Sequence, residues 1–154
     1  MKKILKILLV FFLSAFVIIQ LFPSSRPDNQ PVSGQDIFEK HEIPLEVGTI
    51  IKNACYDCHS QSVKYPWYSY VAPVSWLVAR DVNRGRVHLN FGKWGELSKR
   101  DQIKVLGEIA EEVEDKNMPM QIYVNMHSAA DLTEEQRELI VIWSEKLAEK
   151  ILEN

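Results

Sequence analysis

Five consecutive residues, Cys55-Tyr56-Asp57-Cys58-His59, concentrate the reactive chemistry of this chain. Two thiols one helical turn apart project from the same side, and an imidazole follows directly. C-x-x-C-H is the attachment motif of a c-type haem. The thiols add to the two vinyl groups on one edge of a porphyrin, and the adjacent His59 swings under the ring to bind iron as proximal ligand. One covalent haem c is therefore the expected cofactor. Other chemistries use the same atoms. A C-x-x-C pair serves thioredoxin-like redox sites, but those expect a βαβ setting that the sequence lacks. Cys55, Cys58 and His59 could begin a zinc site; the fourth ligand must then come from elsewhere, and His59 is badly placed to share a metal with both thiolates. An isolated disulfide is the plainest alternative. These two cysteines are the only ones in the chain, which removes a disulfide-dense scaffold and a four-cysteine zinc site.

A proximal histidine leaves the sixth position on the iron to be filled. The candidates are Met118, Met120, Met126, His88 and His127, with His41, ahead of the motif, a weaker one. Met118 stands out because it follows a helix and so sits on a loop that can present its sulfur. Pro119 stiffens that loop and removes a competing donor. A thioether ligand in an apolar pocket favours ferrous iron; a second histidine lowers the potential. Arg80, Arg84 and Arg86 could pair with the haem propionates. Tyr65, Trp67, Tyr68 and Tyr70 combine apolar bulk with polar handles, suited equally to a core and to packing on the ring. No Ser/His/Asp set or paired carboxylates point to hydrolysis.

The elements that must position these residues follow from pattern. The chain opens Met1-Lys2-Lys3-Ile4-Leu5-Lys6 and runs apolar to Phe22, broken only by Ser14 and Gln20 after Ile7. Residues 1–22 read as a signal anchor or signal peptide. The stretch from Ile4 to Phe22 would be roughly 28 Å long as a helix at about 1.5 Å per residue, close to a membrane core. Bulky Ile19-Gln20-Leu21-Phe22 offers no small-x-small cleavage site, which favours a retained anchor, with the three lysines inside and the rest exported. Residues 23–42 read as an extended linker, rich in proline and without apolar periodicity. Residues 43–154 form the body. Pro44 opens a helix to Ala54. Pro73 to about Arg84 forms another, stopped by Gly85. Ser98 with Asp101 caps a helix to about Lys116, and Thr133 with Gln136 forms a capping box for a last helix to about Leu152. Ile103, Leu106, Ala110 and Val113 line one helix, and Ile140, Trp143, Leu147 and Ile151 the other. No alternating strand pattern appears, so the body is all-α with long loops. Such a body has a thin core unless something apolar sits inside it.

The chain resembles the small haem-binding domain family, distantly like class I cytochromes c. The resemblance rests on Cys55 to Ser60, Lys64 to Ser69, Ala72 to Trp76, Gly85-Arg86 and His88 to Phe91. It continues through Trp94, Met118-Pro119, Tyr123, Met126-His127 and Trp143, covering about residues 45 to 150. It implies a cytochrome c-like helical domain around one covalent haem. It places a Met-Pro pair on the distal side, which adds to the case for Met118, and it singles out Arg86 among the arginines. Tyr65 and Trp67 join Cys55, Cys58, His59, Met118 and Arg86 as the expected cofactor-binding residues, with His59 and Met118 as the iron ligands.

At 154 residues, with 46% apolar and 25% charged residues, the chain is one folding unit able to bury a core. The formal net charge is −3. Setting aside the three N-terminal lysines leaves 15 basic against 21 acidic residues, which excludes a basic nucleic-acid binder. The expected function is electron transfer by a membrane-tethered monohaem protein facing the periplasm, with an unidentified redox protein as partner, and as a carrier rather than an enzyme. The alternative is a haem-based redox or gas sensor or a peroxidase-associated haem protein, which would need a labile sixth position.

Overall fold

The computed structural model describes residues 1–31 and 34–153. Residues 32 and 33 of the expected linker, and Asn154 at the end of the expected body, lie outside the described residues. Within them the chain is helical and no strand occurs, as the missing alternation predicts. The helices are α1 (Lys2–Ile19), α2 (Ile37–Lys40), α3 (Leu45–Ala54), α4 (Tyr56–His59), α5 (Val74–His88), α6 (Lys99–Glu114), α7 (Gln121–Val124) and α8 (Glu134–Glu153). Tighter 3₁₀ turns occupy Trp67–Tyr70, Phe91–Glu96 and Ser128–Ala130.

The two long C-terminal helices form for the reasons their sequences state. Ser98 Oγ accepts from the Asp101 amide at 3.2 Å and starts α6. Ahead of α8 the capping box closes both ways: the Thr133 amide donates to Gln136 Oε1 at 3.0 Å, and the Gln136 amide to Thr133 Oγ1 at 3.2 Å. Leu106 and Val113 of α6 are buried with Ile140, Trp143, Leu147 and Ile151 of α8. They share one core with Val47, Ile50 and Ile51 of α3 and with Phe91 and Trp94. Burying each such side chain is worth about 1.5–3 kcal/mol.

Three expectations need correction. First, α5 does not stop at Gly85 but continues to His88. Gly85 is there for contact rather than for termination: a Cβ on it would lie 2.7 Å from the Cys58 carbonyl oxygen. Second, the segment expected as a free tether is bound. Its arginine, tyrosine-facing carbonyls and amides hydrogen-bond to residues 60–86, as described below. Beyond it, Asp36 caps α2 through the Phe38 amide and Ile37 is fully buried, so the packed body starts before Ile43. His41 accepts the Trp94 indole N–H at 2.9 Å. Third, α1 takes in Lys2, Lys3 and Lys6, leaving thirteen uncharged residues, Ile7 to Ile19. That is about 20 Å at about 1.5 Å per residue, short of a core of roughly 30 Å. Among the described residues no helix is long and apolar enough to cross a membrane, so the expected spanning anchor is not supported.

Candidate cofactor site

The motif makes its own short helix. Cys55 caps the end of α3 and precedes α4, and the Cys58 and His59 amides both return to the Cys55 carbonyl, at 3.2 and 2.9 Å. This turn sets the two thiols one helical step apart and unbridged. Burial, then the neighbouring Cys58, pushes the Cys55 thiol up to about 12. Burial, with the Asp57 and Asp81 carboxylates, pushes the Cys58 thiol up to about 11. Both are S–H groups at neutral pH.

His59 is held from one side only. Its Nδ1 lies 3.0 Å from the Gly85 carbonyl and 3.2 Å from the Leu89 carbonyl, at the C-terminal end of α5. Carbonyls only accept, so Nδ1 carries the proton and Nε2 is the lone-pair nitrogen. Burial lowers the pKa of His59, against a smaller opposite effect of those two carbonyls. The ring is therefore a neutral imidazole with its lone-pair nitrogen, Nε2, turned away from those two carbonyls. The missing side chain of Gly85 is what lets the α5 backbone come this close.

Around the motif the fold gathers side chains that spacing alone did not join. Tyr56 donates to Asp36 in a short hydrogen bond and stacks on Phe91 at 5.8 Å between centroids. Asp57 is a hub. Its Oδ1 accepts the Lys64 amide at 2.9 Å and its Oδ2 the Tyr123 hydroxyl at 2.8 Å. Burial and the Asp57 charge raise the pKa of Tyr123. Tyr123 stacks on His127 at 4.0 Å. His127 Nδ1 donates to the Tyr123 carbonyl at 3.0 Å, and its Nε2 accepts the Tyr68 hydroxyl at 3.1 Å. A shallow cavity of about 310 Å³ opens beside this set, lined by Lys52, Asp57, Lys64, Tyr123, Met126 and His127 among others. Sequence reasoning missed Asp57 as a hub; its only signal was a carboxylate between the two motif cysteines.

The expected site residues divide. Cys55, Cys58 and His59 form one turn, and Arg86 reaches them: its Nε donates to the Ser60 carbonyl at 2.7 Å. Arg86 Nη2 is buried and has no hydrogen-bond partner among the described residues. Tyr65 is half-buried, with its hydroxyl given to the Pro27 carbonyl at 2.6 Å. Trp67 is 76% exposed and lies edge-on to Tyr68. Met118 is half-buried where α6 meets α8: its amide donates to the Glu112 carbonyl at 2.9 Å and its carbonyl accepts Arg137 Nη1 at 2.8 Å. Of the other sixth-ligand candidates, both nitrogens of His127 are engaged. His88 belongs to the helix end that holds His59 Nδ1, and Met126 is 61% exposed.

These residues fit a covalent haem. The donor set has two protonated thiols on one turn and a neutral imidazole with Nε2 free. A buried guanidinium nitrogen without a partner is the group an anionic propionate would satisfy. The zinc alternative gains no geometry: among the described residues no group of three or more His, Cys, Asp and Glu is placed to hold a metal ion. Among the described residues the thioredoxin-like alternative finds no strands.

No curated protein and no solved structure matches the chain. The pattern of one protein family, described as a haem-binding domain, matches residues 14–146, from within α1 to the middle of α8. The chain belongs to the haem-binding domain family.

Proposed function

We propose that the protein is an exported electron carrier with one haem c, attached through Cys55 and Cys58. The observation that carries this reading is the state of His59: neutral, fixed at Nδ1 by the Gly85 and Leu89 carbonyls, with Nε2 left to a metal. A haem bound there supplies an iron that cycles between ferrous and ferric states. The chain's own residues hold the imidazole, keep Cys55 and Cys58 half-buried on one turn, and offer Arg86 to an anionic oxygen. In this reading Met118 is the sixth ligand. Its loop is tied on both sides of the residue by Glu112 and Arg137, which suits a ligand that must not move between oxidation states. The basic start and the thirteen-residue uncharged part of α1, whose large apolar side chains are exposed, support export into the cell envelope and contact with a membrane surface there. The redox partner is a second protein.

A denaturing gel stained for haem tests attachment on protein made with haem-maturation machinery. Colour should stay with the wild-type chain and vanish when both cysteines become Ala. A colourless wild type overturns the reading. The oxidised wild type should also show a weak near-infrared sulfur-to-iron band, absent in Met118→Ala. The alternative haem sensor or peroxidase-associated role predicts instead that the reduced wild type binds carbon monoxide.

A further inference from the structure

The segment Gln20 to Gln30 lies along the back of the attachment site and is fastened to it at nearly every second residue. The Gln20 side chain donates to the Ala72 carbonyl and accepts the Ala72 amide, both at 3.0 Å. The Phe22 carbonyl takes the Trp76 indole N–H at 2.9 Å. Arg26 Nη1 donates to the Ser69 carbonyl at 2.7 Å, while its guanidinium carbon lies 3.7 Å from the Tyr70 ring centroid and 5.4 Å from that of Tyr65. Asn29 makes the same two-way pairing with Val63 that Gln20 makes with Ala72, at 2.8 Å in each direction. The Gln30 amide donates to the Gln61 carbonyl at 3.0 Å. Side-chain amides thus stand in for a missing strand, satisfying main-chain groups of a loop that has no partner of its own. One contact reaches the cofactor site itself. The Asp28 carbonyl accepts Arg86 Nη1 at 3.3 Å while the Ser60 carbonyl accepts Nε. With two of its nitrogens tied, the guanidinium plane is fixed and buried Nη2 is the one left unpaired.

We propose that Gln20–Gln30 is a clasp integral to the cofactor site: it orders loop 60–72 behind the attachment helix and aims Arg86 Nη2 at an anionic oxygen, a carboxylate at the edge of the haem. The clasp stands on the contacts alone; the identity of the carboxylate rests on the haem reading above. Two consequences follow. Any removal of the N-terminal segment during export cuts before Gln20, because a cut after Gln20 leaves Ala72 without its partner and one after Asn29 strips Val63 and Arg86 of theirs as well. Loosening the clasp also changes how firmly Arg86 neutralises the carboxylate.

The test uses the full-length, haem-loaded chain. N-terminal sequencing of the exported protein should give a start at or before Gln20; a start at 21 or later overturns the clasp. Amide exchange should be at least tenfold faster at Val63 in Asn29→Ala and at Ala72 in Gln20→Ala, with the α6 and α8 amides unchanged as proof of folding. Unchanged exchange at Val63 and Ala72 overturns it as well. For the carboxylate, Arg86→Gln should lower the midpoint potential and steepen its dependence on pH, because an unneutralised negative charge favours ferric iron. Arg86→Lys should restore part of the loss, and Arg26→Ala with Asn29→Ala should shift the potential in the same direction. If Arg86→Gln leaves the potential unmoved, Arg86 does not meet the carboxylate. If it moves while the clasp variant does not, the clasp does not aim it. A wild type that never holds haem defeats the haem reading, while the exchange result still decides the clasp.

Discussion

Where α6 packs on α8, the contact is made by apolar side chains at helical spacing: Leu106 and Val113 against Ile140, Trp143 and Leu147. Where α4 meets α5, it is made by main chain. The Gly85 backbone rests on the Cys58 carbonyl, His59 bonds the carbonyls of Gly85 in α5 and of Leu89 just after it, and Arg86 bonds the Ser60 carbonyl. The first region gains from area and tolerates small shifts, since dispersion and burial are not directional. The second gains from a few directed bonds, so it holds its donors in fixed positions and loses them together. A site that must keep two thiols, an imidazole and a guanidinium in register needs the second kind. A hairpin that anchors the domain needs only the first.

Substitutions sharpen this contrast, beginning with the largest effect. Leu106→Ala removes a fully buried side chain of α6, and a loss of about 2–5 kcal/mol is expected. Denaturant titration should show it, while the wild-type absorption of the haem-loaded protein is retained below the midpoint. If the spectrum changes as much as the stability, the two regions are not separable.

Gly85→Ala should do the reverse. Its new Cβ meets the Cys58 carbonyl oxygen at 2.7 Å, and that atom is main chain that cannot swing away. A cost of about 1–3 kcal/mol is expected from overpacking, accompanied by reduced haem loading on a stained gel. Full loading with wild-type stability would show that α5 can move off the motif.

Thr133→Ala removes the cap of α8, and about 1 kcal/mol should be lost. The melt should shift with no change in the potential of the haem. A shift in potential would couple the hairpin to the site.

The smallest effect is one of pH. Burial, with the Lys150 charge second, lowers the pKa of His41 below its ordinary 6.5, and the neutral ring accepts the indole N–H of fully buried Trp94. In the unfolded chain the ring takes up a proton near pH 6.5 that the folded ring refuses. This stabilisation is therefore complete above about 6.5 and is lost as the pH falls below it. Thermal melts at pH 7.5 and 5.5 should differ more in the wild type than in His41→Gln; equal slopes would remove His41 as the titrating group.

What could be read in the sequence depended on which kind of contact was involved. The hairpin was legible residue by residue, because Ile140, Trp143, Leu147 and Ile151 repeat at helical spacing and Thr133 and Gln136 announce the start. Cys55, Cys58 and His59 could be singled out from their spacing alone, and the fold sets them on one turn; the family match at residues 14–146 shows a haem-binding domain. Gly85 was read as a helix stop because a glycine's local meaning is termination; only the approach of Cys58, 27 residues away, reveals that it is a contact. Residues 23–31 carry no periodicity and so read as a tether, yet their polar side chains satisfy main-chain groups of the 60–72 loop. Hydrogen bonds between distant segments leave no repeat in a sequence. Periodic burial and local chemistry were thus determined by the sequence alone. The clasp, the seat of His59 and the unpaired nitrogen of Arg86 were decided by tertiary structure, because each depends on which carbonyl another part of the chain brings within about 3 Å.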